Sequence, residues 1–402
     1  IYGEYKYNNG EVIVICSVKL KKSTSIHLAR SIQRDFGGWL IKKLDKDALL
    51  VSFSSEDSED WRYSLIKIDY ERSITQSGKI SVKSKISPVK RFSYLVGKNE
   101  PNRTAQEQIT PLLLDNNENP LISEITNSFA IEKVTEDFFR RYKDLSIEIH
   151  EEIKTLKANN INIKKTFEEN NLETFNFSKK LLGQIIFIYF LQKKGWLGIK
   201  KNESGKFEEW GTGPKNFLRK LFNKEYSDYD NFFNDILEPL FYVGLSSELP
   251  ENYFPKLKCK IPFLNGGIFE PINNYNWAGT DITIKNQTIE KVLDVFDQFN
   301  FTIYEEDPEE KEIAVDPEML GKVFENLLPE NIRKGKGAYY TPRIIVHYMC
   351  QESLINYLDT ECKEVPKRDL ETLIREGDLI LELETAIFEE KNSSQSVLME
   401  SI

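Results

Sequence analysis

From Leu181 to Leu191 the chain reads LLGQIIFIYFL, and the apolar run stops at the pair Lys193-Lys194. A helix of this sequence has almost no polar stripe to turn toward water, so other elements must surround it. The run falls short of the roughly 18 uncharged apolar residues that a membrane span needs. Its surroundings are therefore protein, and no membrane association is expected. Phe129, Val134, Phe138, Tyr142 and Leu145 recur at spacings of three to five and predict a second, amphipathic helix to pack in the same core.

The opening of the chain has the other periodicity. After the turn Asn8-Asn9-Gly10, the β-branched run Glu11 to Leu20 (EVIVICSVKL) predicts a strand. Ser23-Thr24-Ser25 offers an N-cap for a helix through about Lys43, and strands are predicted at Ala48 to Phe53, Trp61 to Tyr70 and Arg91 to Val96. This order gives one mixed sheet with a helix packed on it. Pro101, Pro111 and Pro120, with several Asn, mark residues 99–120 as a link between domains. The predicted class is α+β: an N-terminal mixed-sheet α/β domain over 1–98, a linker over 99–126, a mainly helical connector over 127–315 and a further domain beginning at 316.

A length of 402 residues calls for two or three domains, and 40% hydrophobic with 29% charged residues is the balance of a folded globular protein. Ile1 and Tyr2 stand at the edge of a strand-forming region with no Met before them, so residues are expected to precede them. Cys16, Cys259, Cys350 and Cys362 are scattered singly, in neither a zinc spacing nor a disulfide framework, and the cytoplasm is the expected compartment. With only His27, His150 and His347 present, far apart, neither a histidine-based metal site nor a Ser-His-Asp triad is expected.

The net charge of −10 argues against a protein devoted to coating nucleic acid, but its distribution is uneven. Lys79, Lys83, Lys85, Lys90, Arg91, Lys98 and Arg103 face Glu100 alone, and Arg333, Lys334, Lys336 and Arg343 face no acid. The second island adjoins the stretch richest in functional signal, Asp316 to Leu358. A short helix over Met319 to Leu328 leads there into a basic, glycine-containing segment. Thr341-Pro342 then starts another helix, with Thr as N-cap and Pro in the first turn. The aromatic pair Tyr339-Tyr340 thus stands just before a helix N-terminus, whose free N–H groups and positive dipole suit a carboxylate. The tail from Lys367 to Ile402 is acidic and then Ser-rich, and poor order is expected in it.

The run Gly337-Ala338-Tyr339-Tyr340-Thr341-Pro342 closely resembles the entry segment of gamma-class amino-methyltransferases. Lys90 to Gln108 (KRFSYLVGKNEPNRTAQEQ), Phe129 to Leu145, Leu181 to Leu197 and Ile261 to Pro271 (IPFLNGGIFEP) resemble, in the same order, segments of type IIG restriction-modification enzymes and related phage-defence methyltransferases. The resemblance covers most of the chain from about residue 60. It implies methyl transfer from S-adenosylmethionine to adenine N6 in double-stranded DNA. Tyr339, Tyr340, Thr341 and Pro342 would wall the cofactor pocket, and Arg333, Lys334, Lys336 and Arg343 would lie beside DNA or the cofactor carboxylate.

The family's Asp-Pro-x-x-Gly-Ser-Gly loop and Asn-Pro-Pro-Tyr tetrapeptide are absent from these residues, and Ile402 falls about where the first is due. The expectation is a methyltransferase domain cut short, inactive for methylation as it stands. Such enzymes often begin with a PD-(D/E)xK nuclease, which needs acids for Mg²⁺ and a Lys beside the attacking water. In VICSVKLKK (Val14 to Lys22) the Glu-x-Lys element is not intact; Glu4, Lys19 and Lys21 are the residues such a nuclease would use. The domain is thus either a degenerate nuclease fold serving as a scaffold or a nuclease whose other carboxylates lie elsewhere. A non-catalytic DNA-binding or scaffold protein of a phage-defence system is the alternative of a different class.

Overall fold

The computed structural model describes residues 1–321, apart from 22, 23, 28, 57, 69, 75–79, 87, 88, 115–118, 265, 266, 304–309, 318 and 320, together with 341 and 343–375. The chain forms two compact units, Ile1–Val323 and Phe324–Ile402. Its fold is α+β, as the sequence predicts, with the sheet at the N-terminus.

In the first unit, β1 (Gly3–Lys6) and β2 (Val12–Lys19) pair antiparallel across the Asn8-Asn9-Gly10 turn, where Gly10 adopts φ +90°. Helix α1 (Arg30–Leu44) then crosses to β3 (Ala48–Ser54), parallel to β2. This helix starts later than Thr24. The Ser25 hydroxyl accepts the His27 N–H at 3.2 Å in a local turn, and buried Ile26 anchors the segment before any helix begins. β4 (Asp60–Lys67) runs antiparallel to β3. The long strand predicted to Tyr70 is two: β5 (Tyr70–Ile74) pairs with β6 (Ile80–Ile86) as a separate hairpin. β7 (Lys90–Gly97) returns to the main sheet against β4.

α1 packs close to the sheet through Gly37 and Gly38, where a Cβ would stand 2.1 Å from Ile66 Cδ1 and 2.6 Å from Val89 Cγ2 respectively. Beneath it Val14, Cys16, Ile41, Leu49, Val51, Phe53 and Ile66 form an apolar core. The opposite face presents Tyr63 and Tyr94, which pack on Phe129 with ring centroids 5.8 and 5.1 Å away.

The stretch 99–126 contains α2 (Arg103–Leu114) and the start of α3 (Ile122–Ser128). The helical region follows with α4 (Ile131–Asn159), α5 (Ile161–Glu169), α6 (Thr174–Lys193) and α7 (Phe217–Phe222). As its composition requires, α6 is buried on every side, with Leu181, Ile185, Ile188 and Leu191 inaccessible. Its polar exceptions fasten the predicted IPFLNGGIFEP loop: Gln184 Nε2 donates to the Ile268 carbonyl at 2.8 Å and Lys180 Nζ to that of Gly267 at 3.0 Å. Two π-helical turns, Phe233–Leu237 and Leu240–Leu245, flank Glu238 and Pro239, whose missing N–H disfavours an ordinary α-helical ladder there. The short strands β8 (Tyr253–Phe254) and β9 (Cys259–Lys260) pair with each other, and α8 (Asn286–Phe296) packs Phe296 against Phe138, Tyr142 and Tyr189.

After all of this the chain re-enters the sheet. β10 (Glu310–Glu312) lies parallel to β7 and completes the order β1-β2-β3-β4-β7-β10. Among the described residues, no helix is long and apolar enough to cross a membrane.

In the second unit, α9 (Arg343–Glu361) is followed by helix at 367–375, so the start of the tail read as poorly ordered is helical. Lys367 Nζ donates to Asn356 Oδ1 at 3.1 Å, Arg375 pairs with Glu352, and Ile355 and Leu370 are buried. The rest of that tail, from residue 376, and most of Met319 to Leu328 lie outside the described residues.

Candidate functional site

Strand register places Arg62, Ser93 and Glu312 on the face that α1 covers, because they stand opposite Leu95, Ser64 and Ser93 in the same sheet as Ile66. Where β2 and β3 bring apolar side chains under α1, β4, β7 and β10 bring charge. Arg62, only 1% exposed, donates through Nη1 to Ser93 Oγ and Glu312 Oε2, both at 3.1 Å. Arg30, descending from α1, stands 3.8 Å from the same carboxylate. Burial would push the Glu312 carboxyl up, but Arg62, Arg30 and Lys193 outweigh it and hold the group below its ordinary range, hence ionised.

This strip floors a cavity of about 980 Å³ within the first unit, lined among others by His27, Asp60, Arg62, Glu100, Lys193 and Lys215. Each carboxyl in it has its own donors. Asp60 accepts the Asn99 backbone N–H at 2.8 Å and its side-chain amide at 3.2 Å. Glu100, buried just after β7, takes both its oxygens to Lys193, the last residue of α6, which also donates to Asn300 Oδ1 at 3.0 Å. Burial raises the Glu100 carboxyl, Lys193 draws it down, and Glu312 and Asp60 push it up again. His27, 3.8 Å from Asp60, is held below its usual range, first by burial and then by Lys193, so it is neutral at pH 7.

With the acids engaged in this way, no group of three or more His, Cys, Asp or Glu among the described residues is placed to hold a metal ion. Donors are nevertheless left over among the described residues. The Arg62 Nε–H has no protein partner, and no carboxylate pairs with Lys215 among the described residues. Burial and then neighbouring Lys193 press the Lys215 ammonium below its usual range. The site is therefore a polar pocket with spare cationic donors, suited to an anionic ligand.

Of the residues singled out in the sequence, Glu4 lies on β1 and pairs with Lys46 at 2.9 Å. It faces Val14 in register, about 17 Å along β2 from Lys19 and on the other face of the strand. Lys19 pairs instead with Glu56, at the cavity mouth, at 2.7 Å, and Lys21 is exposed. The structure does not bring Glu4 and Lys19 together. Thr341 is exposed immediately ahead of α9, and Arg343 is the first residue of that helix. Tyr339, Tyr340, Pro342, Arg333, Lys334 and Lys336 lie outside the described residues. Of the first basic island, Lys79 and the side chains of Lys83 and Lys85 lie outside what is described; Arg91 is buried and donates to Gln33 Oε1 at 2.9 Å, Lys98 pairs with Glu59, and Arg103 pairs with Glu107.

The cavity residues escaped the sequence reading, although two left a signal. Glu100 is the lone acid in a basic run, and Lys193 ends a helix too apolar to be exposed. An ammonium there needs a buried carboxylate, and an isolated acid in a basic run is a candidate for one. Glu312 left none, for it sits in an acidic stretch without strand periodicity.

The chain is 31% identical over 208 residues to a protein of Methanocaldococcus jannaschii bearing the name "Putative type II restriction enzyme and methyltransferase". The matched part is 49% of this chain and 16% of that protein, so the chain spans a small fraction of the relative's length. No protein-family model matches the chain. No solved structure matches it.

Proposed function

We propose that this chain is the N-terminal and linking portion of a restriction-modification DNA methyltransferase of the type IIG kind, which transfers the methyl group of S-adenosylmethionine to adenine N6 in double-stranded DNA. The observation that carries this reading is the 208-residue similarity to a protein whose name joins a restriction enzyme to a methyltransferase. The gamma-class run at Gly337 to Pro342 agrees with it.

The described part of that run fits the cofactor's carboxylate. Thr341 stands outside the helix and exposed, α9 begins two residues later, and its first turn carries no acid to compete for the free N–H groups. When bound, the cofactor supplies the methyl group. Thr341 and the first turn of α9 hold the carboxylate end of such a molecule, and the cationic donors of the cavity in the first unit are available to DNA phosphate. A Mg²⁺-dependent nuclease built on Glu4, Lys19 and Lys21 finds no support in the geometry.

The test is to incubate the full-length protein with S-adenosylmethionine and DNA, then digest the DNA to nucleosides for mass spectrometry. N6-methyladenine is expected from the full-length protein and none from the 402-residue chain. Methylcytosine, or no methylated base at all from the full-length protein, overturns the reading.

A further inference from the structure

At the rim of the cavity and beside it, lysines seated on aromatic rings are gathered into one cluster. Many exposed lysines of the chain stand on carboxylates, as in Lys19–Glu56, Lys98–Glu59, Lys154–Glu151 and Lys291–Glu148, and a few, such as Lys43 over Trp39 and Lys224 over Tyr229, stand singly on rings. Between α6 and α7 and in β9 several do so together. Lys194 Nζ lies 4.7 Å from the Trp196 ring centre, Lys260 lies 4.1 Å from that of Trp210, and Lys200 lies 4.6 Å from that of Tyr226. No carboxylate pairs with Lys194, Lys200, Lys215 or Lys260 among the described residues, although Glu203, Glu208, Glu209 and Glu225 are close in sequence. An ammonium over an aromatic face keeps its full charge and its hydrogen-bond donors.

The segment is also locked in place before any ligand arrives. Gly211 and Gly213 both donate their N–H groups to the Gly195 carbonyl, at 3.1 and 3.0 Å, which clamps the Gly195-Trp196 loop to the Trp210-Gly211 loop. A Cβ on Gly195, which has φ +69°, would stand 2.3 Å from the Gly211 carbonyl oxygen, and one on Gly213 would stand 2.1 Å from that of Leu197. Only glycine permits this approach. The bridge between Ile199 and Lys260 ties β9 to the same segment. Trp196 and Trp210 remain 36% and 40% exposed, and Lys194, Trp196, Gly211 and Lys215 open directly onto the cavity.

Uncompensated lysines interleaved with half-exposed indoles on a rigid support match one chemistry, a phosphodiester strand whose bases or sugars pack on rings while its phosphates meet ammonium groups. We propose that Lys194, Trp196 and Lys215 at the cavity rim, continued by Lys200, Trp210 and Lys260 beside them, form a DNA-binding surface that leads a strand toward the cavity. The identity of the polyanion as DNA rests on the restriction-modification reading; the surface itself rests on the geometry.

The test is a fluorescence-anisotropy titration of the whole 402-residue chain with a labelled single strand and with a duplex of the same sequence, over a range of salt. The double variant Lys194→Ala/Lys215→Ala should weaken binding at least about tenfold and lower the slope of log K against log salt by about 2. Trp210→Leu should weaken binding about tenfold with little change in that slope. A greater loss in the single-strand arm means that bases stack on the indoles; an equal loss in both arms means that the sugar-phosphate edge packs there, and either supports the surface. Wild-type affinity in the lysine variant overturns the proposal while leaving the restriction-modification reading standing, since DNA is then held elsewhere. Failure of the chain to bind either DNA also overturns it, and leaves methylation by the full-length protein to be judged by its own assay. Equal competition by poly-glutamate of matched charge overturns the assignment to nucleic acid.

Discussion

Glu312 and Glu238 are both almost inaccessible, at 5% and 0% exposure, yet their surroundings drive them to opposite charge states. Glu312 lies in the polar strip of the sheet, where Arg62 and Arg30 hold it ionised. Glu238 lies between two π-helical turns in the aromatic core of the helical region. There Tyr275 donates to Oε1 at 2.7 Å, Oε2 has no partner, and burial pushes the carboxyl up to about 8. Depth of burial therefore does not decide which acid is a charge in the fold; the neighbouring cation does. Desolvating an ion pair is expensive and rarely the cheapest way to fill a core. The strip under α1 is thus better explained as a support for the cavity above it than as packing, whereas Glu238 can fold as a neutral acid.

The comparison breaks most sharply at Arg62. Replacing it with Met should leave Glu312 buried and charged with Arg30 as its nearest remaining cation, at a loss of about 3–5 kcal/mol. Restoring apolarity on both sides, in Arg62→Met/Glu312→Leu, should recover most of it. Chemical denaturation followed by tryptophan fluorescence reads both. If the single variant is as stable as the parent, Glu312 is not held as an ion. Glu312 has a depressed pKa in the fold, so its contribution is present above its unfolded pKa and is lost as pH falls through the folded value.

Glu238 should give the opposite slope. Its folded pKa of about 8 lies above the ordinary 4.5, so between these values the folded chain binds more protons than the unfolded one. Stability should then fall with rising pH across that window, by up to roughly 1.4 kcal/mol per unit from this group, and level off above it. Glu238→Gln should remove this component and make the protein more stable than the parent at pH 8. A parent and variant with parallel stability-against-pH curves would show that Glu238 is ionised throughout.

Most of the sheet and the central helix were legible because their periodicities are local. Val12 to Lys19 reads as a strand from its β-branched residues, and α6 reads as a buried helix from the lack of a polar face. The start of α1 was misplaced because a run of hydroxyl residues fits a local turn as well as an N-cap, and buried Ile26 decided between them. β10 was invisible for a different reason: three residues in an acidic stretch become a strand only because β7 offers an unpaired edge. The cavity shared that fate. Its members come from β4, the end of β7, the end of α6 and β10, and only tertiary pairing unites Glu100 with Lys193 or Arg62 with Glu312.

The finest distinction between the two acids concerns Tyr275, the hydrogen-bond donor to Glu238. Tyr275→Phe removes that bond, and with it the hydroxyl's hydrogen bond to Tyr242, and keeps the ring, which packs edge-on to Tyr242 and Phe177. A neutral carboxyl that loses one hydrogen bond should cost about 1 kcal/mol. An ionised one stripped of a donor in the same core should cost about 3 kcal/mol or more. Because the Tyr275 hydroxyl lowers the Glu238 pKa, its removal should also carry the alkaline end of the pH-dependent window higher. Measured at pH 6 and again at pH 9, the cost of the substitution should therefore grow with pH. A cost that is the same at both would mean that Glu238 does not change charge between them, and the contrast with Glu312 would then rest on something other than the cation.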